Sequence, residues 1–124
     1  MITALAHYDL TDEIPEALDI AIPRGTRKPQ TEAAIRWHHF DRDTFNFERE
    51  EIVIPGSEQM IGIYSPERTI ADCFRLRSVV GYEIARDATK EWLRRGGKPA
   101  ALMQNTSLLP RAKAPVFRAL EVLA

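Results

Sequence analysis

Near residue 65 the apolar residues of this 124-residue chain change their spacing, from every second position to every third or fourth. A period of two puts side chains on alternate faces of a strand, and a period near 3.6 lines them along one side of a helix. The switch therefore divides the chain into a strand-forming part and a helix-forming part. On the N-terminal side, Leu18, Ile20 and Ile22 alternate with Asp19 and Ala21 until Pro23-Arg24-Gly25 ends the run. Ile35, Trp37 and His39 alternate with Arg36 and His38. Ile52-Val53-Ile54 and Ile61-Gly62-Ile63-Tyr64 flank Pro55-Gly56-Ser57, a turn composition that predicts a hairpin. Four strands are expected, after a short helix over Ala4–Asp9, with another short helix or a loop over Asp41–Phe47.

After Tyr64 the signals are helical. Ser65 is a good N-cap, and Pro66 sits at the first helical position, where its missing N–H costs nothing. Ile70, Cys73, Phe74 and Val80 mark an inner face, with Arg68, Arg75 and Arg77 outside, and Gly81 ends this helix. Ile84, Ala85, Ala88 and Trp92 form the next stripe, closed by Arg94-Arg95 and Gly96-Gly97. Pro99 to about Thr106 predicts a third helix. Pro115–Leu123 predicts a fourth, with Val116, Phe117, Leu120 and Leu123 on one side. Strands first and helices after is the α+β pattern. The expected architecture is one small, mostly antiparallel sheet of about four strands (residues 17–64) covered by about four helices (residues 66–123). No repeat or low-complexity segment divides the chain, so residues 1–124 read as a single domain.

Composition excludes several classes. With 44% hydrophobic and 28% charged residues the chain is neither disordered nor of low complexity. It is long enough to bury a core without disulfides or metal. It has no run of 18 apolar residues, hence no expected membrane span. Met1–Leu10 lacks the pattern of a signal peptide. The one cysteine, Cys73, excludes an internal disulfide and fits a reducing cytoplasm, which is the expected location. Residues 1–64 hold six Lys/Arg against twelve Asp/Glu, and residues 65–124 hold eleven against six. The balances of −6 and +5 predict that sheet and helices meet with complementary charge, and secondarily that the basic half meets an anionic partner. A pI near 6.3 argues against a general nucleic-acid binder.

Catalytic signals are weak. His38 and His39 precede Asp41 and Asp43, but neighbours on a strand point to opposite faces and cannot share a metal ion. Structural zinc would need cysteines that the sequence lacks. Cys73 falls on an apolar helix face, where a thiol is an inert filler. Glu50 and Glu51 precede Ile52, yet no acidic-x-Lys triplet follows, and there is no nucleophile elbow or phosphate-cradling glycine loop. No catalytic residue, metal or cofactor is expected. Two charged groups remain. The loop Arg24-Gly25-Thr26-Arg27-Lys28-Pro29 gathers three cations around a glycine, a composition suited to a phosphate or an acidic partner as well as to a solvated turn. Asp72 has Arg68 and Arg75 at helical spacing, so ion pairing is its default.

The segment Ile2 to Pro15, the strand and basic turn Ile20-Ala21-Ile22-Pro23-Arg24-Gly25, and the helix start Tyr64-Ser65-Pro66-Glu67-Arg68-Thr69-Ile70-Ala71-Asp72-Cys73-Phe74-Arg75 resemble, in that order, the C-terminal domain of AbiEi-type antitoxins. The resemblance runs on through Gly81, the Ala88–Leu93 helix and the Leu120 region. It implies a type IV toxin–antitoxin pair of phage defence, in which such a domain opposes a nucleotidyltransferase-like toxin from the adjacent gene. Family members typically carry an N-terminal winged helix that represses their own operon. This chain opens directly on the C-terminal-domain segment, so toxin neutralisation rather than operator binding is expected of it. Asp9, where the family pattern suggests glycine, and Pro115, which would shorten the last helix, are smaller departures. The expected partner surfaces are Arg24, Arg27 and Lys28 on the loop, and Asp72, Arg75 and Arg77 on the helix that follows the switch. The competing readings are a DNA-binding autorepressor using the basic half and a metal-dependent nuclease-like enzyme.

Overall fold

A computed structural model of the chain describes residues 1–30, 34–53 and 60–123. The order is α1 (Ile2–His7), β1 (Leu18–Pro23), β2 (Ile35–Phe40), β3 (Arg49–Val53), β4 (Met60–Tyr64), α2 (Pro66–Arg75), α3 (Arg77–Val80), α4 (Tyr82–Arg94), α5 (Pro99–Thr106) and α6 (Lys113–Leu123). The α+β class and all four strands follow the apolar spacing. Their assembly does not. Instead of one mostly antiparallel sheet there are two two-stranded ribbons. β1 and β2 run parallel, with Leu18 opposite Ile35 and Pro23 opposite Phe40. β3 and β4 are the antiparallel pair expected, with Arg49 opposite Tyr64. Ile54 and the Pro55-Gly56-Ser57 turn lie outside the described residues. Alternation tells which face a residue occupies, not which strand lies beside it. The connection from β1 to β2, residues 24–34, approaches the dozen residues that a parallel return requires.

Ser65 caps α2 as its position suggests, its Oγ accepting the Arg68 N–H at 3.1 Å with Pro66 opening the helix. Leu76 interrupts the helix expected to reach Gly81, which gives α2 and α3 and brings the helices after β4 to five. The α1 helix starts two residues before the expected one, and residues 42–48 form turns rather than a helix. Pro115 shortens nothing, because it lies in the first turn of α6, where no intrahelical donor is needed. α4 ends as its glycines predict. Gly96 takes φ +96°, its N–H reaching the Leu93 carbonyl at 3.0 Å, and the Gly97 N–H reaches the Trp92 carbonyl at 2.9 Å. This is the two-bond Schellman closure, which needs a residue free to adopt positive φ.

The core is helix on helix. Leu5 of α1, Ile70, Cys73 and Phe74 of α2, Ala85, Ala88 and Trp92 of α4, Leu102 of α5, and Val116 and Ala119 of α6 form one buried cluster. α2 is its centre, packing against α1, α4, α5 and α6. Among the described strand residues only Phe40 is fully buried. The helices therefore cover each other more than they cover a sheet. On α6 the inner stripe is Val116, Ala119 and Leu120, while Phe117, expected inside, stands half exposed a third of a turn away. Among the described residues no helix is long and apolar enough to cross a membrane.

Candidate functional site

The charged cluster of α2 is buried, not superficial. Arg68 is wholly buried and Asp72 is 2% exposed, while Arg75 keeps 7% of its side chain accessible. The i, i+4 and i, i+3 spacing brings both guanidinium groups onto one carboxylate. Arg68 Nε donates to Asp72 Oδ2 at 3.1 Å, and Arg75 Nη2 donates to Asp72 Oδ1 at 2.9 Å. Arg68 Nη1 also donates to the Thr44 and Phe47 carbonyls, at 2.5 and 2.8 Å. The same guanidinium lies 4.1 Å from the centre of the Tyr64 ring, and that of Arg75 lies 4.8 Å from Phe40. Arg68 and Arg75, expected on the outer face, thus turn inward. Aromatic rings and carbonyls contributed by β2, β4 and the turn after β2 receive them.

This arrangement divides the six residues expected to meet a partner. Asp72 and Arg75 are consumed by the fold and have almost no surface to offer. Arg24, Arg27, Lys28 and Arg77 are exposed. Arg24 Nε donates to Asp41 Oδ1 at 2.9 Å, and Arg42 Nε donates to the Arg24 carbonyl at 2.9 Å, so Arg42 adds a further cation to the basic turn. Among the described residues Arg27 and Lys28 form no ion pair. Arg77 Nη1 donates to the Phe74 carbonyl at 2.9 Å, at the end of α2. Phe40 links the two groups, since its ring carries Arg75 and its neighbour Asp41 holds Arg24.

The charge division also has a different basis from the one expected. Every ion pair among the described residues joins residues of the same half: Asp19 with Arg36, His38 and the Met1 ammonium, Asp41 with Arg24, Glu51 with Arg49, Asp72 with Arg68 and Arg75, Asp87 with Arg86, and Glu91 with Arg94 and Arg95. Where arginines of the helical half cross to the strand half they meet neutral groups. Arg95 donates to the Tyr8 and Asp9 carbonyls, as Arg68 does to those of Thr44 and Phe47. Helix and strand regions are therefore joined by charged donors on backbone oxygens and rings. Two exposed guanidinium groups hold the Glu91 carboxyl down to about 2, the Arg94 hydrogen bond first and that of Arg95 second.

A cleft of about 430 Å³ opens between the two ribbons, closed at one end by α1. Its walls are mostly apolar, with Asp19 and His38 among the polar residues set into them. His38 Nε2 lies 2.9 Å from Asp19 Oδ1, and Arg36 lies 4.0 Å from the same oxygen. His39 faces elsewhere, its Nε2 3.3 Å from the Thr26 carbonyl, as strand alternation requires. Burial alone would raise the Asp19 carboxyl. The His38 hydrogen bond, the nearby positive charges of the Met1 ammonium and His38, and the Thr3 hydrogen bond outweigh burial and hold it below 3.8. A depressed native carboxyl stabilises the fold above its unfolded pKa, and that contribution is lost as pH falls through the native value. Asp19→Asn is accordingly expected to be less stable than the parent at pH 6, with the difference shrinking at an acid pH well below 3.8, where the native carboxyl takes up its proton. Urea unfolding at both pH values checks this, and a constant difference between the two proteins would refute it.

Cys73 is wholly buried, and burial pushes its thiol up to about 12, so it stays protonated and unreactive. Burial likewise takes the Tyr64 hydroxyl to about 12, and it donates to the Phe45 carbonyl at 2.6 Å. Sequence reasoning missed the contribution of Phe40, Phe47 and Tyr64 to the arginine cluster. The one available signal was Tyr64 standing directly before the Ser65-Pro66 helix start. No protein-family model matches the chain, and no curated protein matches it.

Proposed function

We propose that this chain is a non-catalytic, cytoplasmic binding domain of the AbiEi antitoxin type, opposing a nucleotidyltransferase-like toxin in phage defence. One observation carries the reading. The Tyr64–Arg75 segment, where the resemblance is strongest, ties the fold together through Ser65, Arg68, Asp72 and Arg75. A motif of that kind is understandable as an architectural signature, and recognition then falls to exposed groups nearby. The basic turn of Arg24, Arg27 and Lys28 supplies them, with Arg77 as a second, smaller contribution. Guanidinium groups at a partner interface are frequent hot spots, particularly against carboxylates.

Co-expression with the toxin encoded beside the gene tests the reading. The parent chain is expected to restore growth. The triple variant R24A/R27A/K28A is expected to lose rescue while keeping the parent's circular dichroism and melting temperature, with toxin binding weakened roughly 100-fold or more. Full rescue by the triple variant would remove the basic turn from the interface. Failure of the parent to rescue would overturn the antitoxin reading itself.

A further inference from the structure

The cleft between the ribbons has an unusual lining. Leu18, Asp19, Ile20 and Ala21 of β1 all border it, as do Met60, Ile61, Gly62, Ile63 and Tyr64 of β4. Successive strand residues point to opposite faces, so an unbroken run along one cavity means that the strand meets it edge-on. Backbone pairing agrees. The Leu18 N–H reaches the Ala34 carbonyl and the Arg24 N–H reaches the Phe40 carbonyl, so even-numbered β1 residues bond towards β2. Asp19, Ala21 and Pro23 therefore direct their backbone groups to the other edge. In the antiparallel ribbon the Ser65 N–H reaches the Glu48 carbonyl, which directs 61 and 63 towards β3 and 60, 62 and 64 away from it.

These two free edges are partly stopped. Thr3 Oγ1 accepts the Asp19 N–H at 3.0 Å, Pro23 has no N–H to offer, and Tyr8 donates its hydroxyl to the Tyr64 carbonyl at 2.7 Å. Between the stops the N–H and C=O of Ala21 and Gly62 have no partner among the described residues. An open edge on each side of one apolar cleft is complementary to a chemical group that offers donors and acceptors on both flanks. An extended backbone does so, and water or a small polar ligand does not do it along a line. Each strand residue fills roughly 160 Å³ of sheet, so the cleft would enclose about three residues of such a segment.

We propose that the cleft is a docking site for an extended, apolar segment of another polypeptide, which pairs with β1 and β4 together and joins the ribbons into one five-stranded sheet. Recognition by strand addition draws affinity from main-chain hydrogen bonds and specificity from alternate side chains. Here those side chains would lie against Leu18, Ile20, Ile61 and Ile63. The inference concerns a surface separate from the basic turn and holds whether or not the partner is a toxin.

The probe is a fluorescein-labelled peptide of alternating valine and threonine with a lysine at each end, and its counterpart methylated at every second backbone nitrogen. Fluorescence anisotropy is expected to show saturable binding of the first and none of the second. Amide shifts on binding are expected at Ala21 and Gly62. Ala21→Pro removes one edge donor without touching the β1–β2 ladder, and is expected to weaken binding roughly tenfold. Equal binding of both peptides by the parent chain would overturn the proposal whatever the variant does, and so would no binding at millimolar peptide. A concentration-dependent dimer of the parent chain that Ala21→Pro abolishes would overturn it in favour of a second copy as occupant.

Discussion

Asp72→Ala is expected to cost about 3–5 kcal/mol of folding stability, a large share of what a domain of this size has. The carboxylate is the shared counter-charge of two guanidinium groups, one of them wholly buried. Removing it leaves Arg68 in a low-dielectric site with two carbonyls and three rings but no anion. The carbonyls offset part of the loss, so the lower end of the range is the better expectation. Urea denaturation of the single variants Asp72→Ala and Arg68→Met, and of the double variant, measures it. The double variant is expected to lose less than the sum of the singles, because each single strands a charge that the double removes. A loss below 1 kcal/mol for Asp72→Ala would mean that the arginines are held by the rings and carbonyls alone.

Gly97→Ala is expected to cost about 1–3 kcal/mol although Gly97 has no positive φ. A Cβ there would collide with the indole of Trp92, a rigid ring that is 7% exposed and part of the main core. The neighbouring Gly96 poses the opposite case. Its φ is +96° but nothing lies within 4 Å of its would-be Cβ, so Gly96→Ala carries only the backbone penalty of about 1 kcal/mol. Thermal unfolding of the two variants, with tryptophan fluorescence as the probe, separates steric from conformational cost. Only Gly97→Ala is expected to change the native emission of Trp92. An unchanged spectrum with wild-type stability would show that the indole moves aside freely.

The two variants fall on residues whose roles differ in how far sequence reveals them. Gly96-Gly97 is readable as a helix stop because backbone requirements are local. Ser65-Pro66 is readable for the same reason, whereas the faces of β1 are not: Leu18 of the apolar set is 49% exposed and Asp19 keeps only 4% of its side chain accessible. What sequence conceals is whatever depends on a second element. The parallel pairing of β1 with β2 is invisible to alternation, which is identical for either direction. The inward turn of Arg68 and Arg75 is hidden by their charge, since the groups that accept them, Phe40, Thr44, Phe47 and Tyr64, belong to other elements. The unequal charges of the two halves are visible in composition, but the contacts between the halves use carbonyls, which composition does not record. Of the candidate partner residues, the basic turn was legible as an exposed loop because glycine and proline bound it. Asp72 was legible as paired but not as buried.

Leu5 and Leu10 belong to the same buried cluster as Phe74, Trp92 and Val116. The first ten residues therefore complete a helical body whose remaining parts begin only at Pro66. Everything between is an excursion: the chain leaves that body, forms two ribbons, and returns at the capped start of α2. Closing an excursion costs entropy that grows only with the logarithm of its length. Strands in it can lengthen, shift or be exchanged at little expense to the helices, provided that Tyr8, Phe40 and Tyr64 still meet their partners. The ribbons are thus the part of the molecule where a change of length or of binding surface disturbs the helical packing least.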